Sequence, residues 1–84
     1  MEESHQEVKV FVTTNKANGT SLILEPWGDG WGVEVGDQFC LVFRGPTPAL
    51  PEVVVREDGI EVWAWRGAAI VTVTKNGEPM SGYG

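Results

Sequence analysis

The sequence predicts an all-β protein, a single antiparallel β-sandwich or small barrel of about seven short strands. Three observations carry the prediction. Apolar and polar residues alternate with period two in short runs, turn-forming pairs separate those runs at roughly regular spacing, and no stretch of about ten residues has helical periodicity with caps. Eleven Gly and five Pro in 84 residues supply the turns. The length fits one all-β domain over 1–84, with 1–6 expected to fray. At this size folding hides only about 60 to 65 per cent of the surface the unfolded chain exposes, so the four Trp, three Phe and one Tyr must supply much of the core.

Val8, Val10 and Val12 alternate with Lys9, Phe11 and Thr13 as a first strand, of edge character. Asn18-Gly19 turns the chain into a second strand, Thr20 to Glu25, with Leu22 and Leu24 on one face. Pro26-Trp27-Gly28-Asp29-Gly30-Trp31-Gly32 has too few side chains for a packed ladder and reads as a loop, its two Trp closing one end of the core. Val33 and Val35 make a short strand. Gln38 to Arg44 makes a central one, with Phe39, Leu41 and Phe43 inward and Cys40, Val42 and Arg44 on a second, partly apolar face. Gly45 to Pro51, with three prolines, suits a crossover between sheets.

Next comes the most informative stretch, Glu52 to Thr74. Asp58-Gly59 between two β-rich runs predicts a two-residue type I′ hairpin, with a positive φ at Gly59. Arg56 then faces Glu61, Val54 faces Trp63 and Glu52 faces Trp65. One face carries Val53, Val55, Ile60, Val62 and Ala64; the other carries Val54, Arg56, Glu61, Trp63 and Trp65. Arg66-Gly67 turns into a strand from Ala68 to Thr74, where Ala69, Val71 and Val73 alternate with Ile70, Thr72 and Thr74. Asn76-Gly77 is a second hairpin signal, returning Glu78 to Met80 as a short final strand.

Leu24-Glu25-Pro26-Trp27-Gly28, Val35-Gly36 before Phe39, Asp58-Gly59-Ile60-Glu61-Val62-Trp63 and Asn76-Gly77-Glu78 together resemble small uncharacterised bacterial all-β proteins with an EPWG motif and a DG hairpin. The resemblance spans about two thirds of the chain and implies a fold but no activity. A looser likeness to cupin half-domains rests on Gly36-Asp37 before a strand. The metal-binding histidines of that family have no counterparts here.

Composition and charge exclude several functions. A net charge of −6 leaves too little clustered Lys and Arg to grip a phosphate backbone, so nucleic acid is not an expected partner. No apolar run of about 18 residues exists to span a membrane, and the acidic N-terminal segment lacks the features of a secretory signal, so a cytoplasmic protein is expected. One His in the tail and one Cys in an apolar strand make neither a metal site nor a nucleophile with its base, so no catalytic residue, metal or cofactor is assigned. Cys40 is expected to behave as a small buried hydrophobe. Glu25, Asp29, Glu34 and Asp37 surround the Trp-Gly segment, but acidic residues are ordinary loop filler in so acidic a chain, and one small domain offers little cleft for sugar hydrolysis.

Binding remains. Trp63 and Trp65, two apart on one strand with Arg56 beside them, would form an aromatic patch of the kind protein partners use as an anchor. The competing reading makes this the inner face of the sandwich, which the shortage of core area favours. The expected function is a non-enzymatic interaction domain that engages another protein through a sheet face or edge, an edge strand also allowing a homo-oligomer. An alternative is a carbohydrate-binding module using Trp27, Trp31, Trp63 and Trp65; a further one is an acidic inhibitor or immunity-type protein that covers a basic site.

Overall fold

A computed structural model describes residues 4–80 and 82. Fraying of 1–3 lies outside these residues, whereas His5 and Gln6 are already paired with Pro46 and Gly45. Eight strands follow in order: β1 (His5–Val12), β2 (Thr20–Glu25), β3 (Asp29–Val33), β4 (Phe39–Pro46), β5 (Glu52–Arg56), β6 (Gly59–Trp63), β7 (Ala69–Lys75) and β8 (Glu78–Pro79). They form two four-stranded sheets, ordered β1-β4-β7-β8 and β3-β2-β6-β5, a sandwich and not a closed barrel.

The alternation read in the sequence builds the core. The first sheet contributes Val12, Phe39, Leu41, Phe43 and Val73. The second contributes Leu22, Leu24, Val33 and Val62. All are fully or almost fully buried, each burial worth about 1.5 to 3 kcal/mol. β4 is central, between β1 and β7, and β1 is an edge, as expected. Gly45, buried near the end of β4, lets another segment pass: a Cβ there would lie 2.6 Å from the Ala68 Cα. The proline-rich segment after β4 carries the chain from the first sheet to the second.

Three local readings are corrected. The Trp-Gly segment is a loop only at 26–28, where the Gly28 N–H donates to the Leu24 carbonyl at 2.8 Å; from Asp29 it is strand β3, hydrogen-bonded along β2. Val33 ends that strand, and Val35 lies in the following turn. In β7 the register against β4 slips between Val42 and Phe43, so that Leu41 faces Val73 but Phe43 faces Ile70. That bulge turns Val71 outward and Ile70 toward the core, breaking the expected Ala69-Val71-Val73 face. The second sheet also holds one parallel join, β2 with β6, which places the β2–β3 and β5–β6 hairpins side by side.

Candidate functional site

The β5–β6 hairpin turns one residue earlier than expected. Arg56 pairs with Gly59, Val55 with Ile60, Val54 with Glu61, Val53 with Val62 and Glu52 with Trp63, so Glu57 and Asp58 form the loop. Gly59 is not among the residues with positive φ, so the predicted type I′ turn does not form. The reason lies across the sheet. Gly59 is buried in the ladder beside β2, where a Cβ would sit 3.1 Å from the Ser21 carbonyl oxygen, so the glycine serves close strand approach instead of the turn. Because each partner moves by two residues, the two faces keep their predicted members in β5 and β6.

Trp63 and Trp65 do not share a surface. β6 ends at Trp63; the Ala64 N–H donates to the Glu25 carbonyl at 3.0 Å, and Trp65 turns into the core. There its indole N–H donates to the Pro46 carbonyl at 2.7 Å and its ring meets Phe43 edge-on at 6.1 Å. Trp31 is also a core packer, its ring 6.1 Å from Phe39. Trp27 and Trp63 stay at the surface, 41% and 36% exposed. They lie at one end of the second sheet, because β2 and β6 run parallel and both finish there.

On the outward face of that sheet Glu61 is held from two sides. Arg56 Nε donates to Glu61 Oε2 at 2.5 Å, and Trp63 Nε1 donates to Oε1 at 3.1 Å. These bonds, Arg56 first, hold the Glu61 carboxyl below its ordinary range, and Glu61 in turn raises Arg56. Arg56 is thereby fixed with more than half of its side chain in solvent. Asp37, one of the carboxylates near the Trp-Gly segment, is engaged in structural bonds to the Glu34 N–H and the Asn76 amide.

The feature that sequence reasoning missed is the other face of β5. Val53 and Val55 lie on the side turned toward the first sheet, yet they are 50% and 76% exposed, and β5 contributes nothing to the buried core. The strand overhangs. Beside the overhang a groove of about 450 Å³ runs between Val55 and Ile60 on one side and the β1–β2 loop on the other. Lys16 of that loop reaches across, its Nζ donating to the Glu57 carbonyl at 2.6 Å. Three successive valines bounded by Glu52 and Arg56 were the available signal, but a valine run reads as buried strand unless the far sheet is known to stop short.

Among the described residues no group of three or more His, Cys, Asp or Glu is placed to hold a metal, and no helix is long and apolar enough to cross a membrane. No family model, curated protein or solved structure matches the chain.

Proposed function

We propose that the chain is a non-enzymatic interaction domain whose ligand is another protein, engaged along the edge strand β5. The exposure of Val53 and Val55 supports this: they are core-type side chains on a strand whose outer side has no neighbour among the described residues, the sheet order being β3-β2-β6-β5. An edge of this kind accepts a strand from a partner, with backbone bonds supplying affinity and side chains supplying selectivity. Two other edges suit this less: β8 is two residues long and ends in Pro79, and β3 has glycine at Gly30 and Gly32.

The test is a photo-crosslinking residue at Val55 compared with one at Val71, 45% exposed on the first sheet, in lysate of the native source. A discrete adduct of identified mass at Val55 and none at Val71 is expected. No adduct at Val55, or the same adducts at both, removes the reading.

A second reading, sugar binding, draws on Trp27 and Trp63 at one end of the second sheet, without Trp31 or Trp65. A glycan panel with the wild type and Trp27→Ser/Trp63→Ser tests it. Binding lost in the double variant supports a carbohydrate ligand; no binding by the wild type dismisses one.

A further inference from the structure

Resting on that reading of β5, we infer that the partner is a second copy of this chain, joined β5 to β5 about a two-fold axis through Val54. The strand is self-complementary in this one arrangement. In an antiparallel pair centred on Val54, Glu52 of each copy stands opposite Arg56 of the other, and Val53 stands opposite Val55. A cation meets an anion at both ends, and the most exposed valine meets the other exposed valine.

The backbone agrees with this register. Arg56 and Gly59 close the two-residue loop, so Arg56, Val54 and Glu52 direct their backbone groups toward β6. Val53 and Val55 therefore turn their N–H and C=O outward. In the proposed pair they become the hydrogen-bonded positions, Val53 of one copy exchanging both bonds with Val55 of the other. Val54 meets its symmetry mate at the non-hydrogen-bonded position, where facing residues approach more closely.

The side chains divide consistently. Glu52 and Arg56 lie on the outward face of the second sheet, and Arg56 is already steadied there by Glu61. Val53 and Val55 lie on the inward, overhanging face, where those of the second copy cover them. Shifting the register by two residues either way leaves both charges of each strand without their match. A parallel pair sets Glu52 against Glu52 and Arg56 against Arg56. The result is one sheet running through both molecules, ordered β3-β2-β6-β5-β5-β6-β2-β3.

An edge of five residues is small beside the roughly 1,200 to 2,000 Å² of stable protein interfaces, so the dimer is expected to be reversible, forming between about 10 μM and about 1 mM. Sedimentation velocity over that range tests it with the wild type, Val55→Lys, Glu52→Arg, Arg56→Glu and an equimolar mixture of the last two. The wild type should dimerise. Val55→Lys should stay monomeric, since a lysine on a strand edge blocks pairing, and its site is exposed enough for the fold to persist by circular dichroism. Glu52→Arg and Arg56→Glu should each be monomeric, facing like charges, while their mixture should dimerise, because every facing pair is again opposite in charge.

A wild type that remains monomeric at about 1 mM overturns the inference, as does a Val55→Lys variant that dimerises like the wild type or a mixture that stays monomeric. If the wild type is monomeric but Val55 crosslinks to a different protein, the edge remains an interaction site and only the second copy is removed as its occupant.

Discussion

Asn76 fastens itself to Asp37 and to the residue after it. Its amide Nδ2 donates to Asp37 Oδ1 at 3.1 Å, its Oδ1 accepts the Gln38 N–H at 2.8 Å, and its own N–H donates to the Gln38 carbonyl at 2.8 Å. It does this from φ 53°, with Gly77 at φ 84°, in the two-residue turn between β7 and β8 that the sequence predicted. Asparagine suits the post because it tolerates the left-handed region and brings a donor and an acceptor with it. Asn76→Ala should cost roughly 1 to 3 kcal/mol, and Asn76→Gly less by the relief of the left-handed backbone, as read by urea denaturation. Equal losses would place the whole effect in the side-chain bonds.

Acid should loosen the same latch. The Glu34 N–H, then the Asn76 amide, hold the Asp37 carboxyl below its ordinary range, as Arg56 and Trp63 hold Glu61. A carboxyl depressed in the folded state binds its proton more readily in the unfolded chain. The stability from both groups is therefore present above the ordinary carboxylate range and lost as pH falls through the folded values. Urea midpoints should hold from pH 7 to about 5 and fall below about pH 4, with Asp37→Asn showing a shallower fall. An unchanged acid limb in Asp37→Asn would exclude Asp37 as a source.

The two tryptophans at the end of β6 should separate in stability. Trp65→Ala removes a ring packed on Phe43 together with its bond to Pro46, and a loss of about 3 to 5 kcal/mol is expected. Trp63→Ser, at the surface, should cost about 1 kcal/mol or less. Similar losses at the two sites would mean that Trp63 is packed as deeply as Trp65.

Cys40 is half-buried on the outward face of the first sheet, directly across from Phe11 on β1, which is 59% exposed. The expected fully packed thiol is thus a shielded one. Native alkylation should be slower than in denaturant, and Phe11→Ala should speed the native reaction several-fold while leaving the denatured rate unchanged. A native rate indifferent to Phe11 would show that the ring is no cover.

The parts of this fold legible in the sequence are those where alternation and turn chemistry act alone. Thr20–Glu25, the inward Phe39, Leu41 and Phe43, and the Asn76-Gly77 turn are of this kind. The misread parts are decided by a distant neighbour. Gly30 and Gly32 give β3 no alternation of its own, and it is strand because β2 lies beside it. Gly59 follows a good turn signal but is claimed by its approach to Ser21. Trp63 and Trp65 share a parity that holds only while the strand lasts, and it stops between them. The overhang of β5 was illegible for the same reason, since the reach of the opposite sheet is written elsewhere in the chain.

The parallel join of β2 to β6 also sets an order of events. Each of the hairpins β2–β3 and β5–β6 closes locally, but Leu22 and Leu24 meet their partners Ile60 and Val62 only across nearly half of the chain's length. Such non-local pairing makes folding slow relative to helical domains of this size. As the polypeptide leaves a ribosome, β2 must wait with one side open until nearly three quarters of the sequence has emerged, and over that interval a strand carrying Leu22, Ile23 and Leu24 is the segment most open to capture by a chaperone or by another nascent chain.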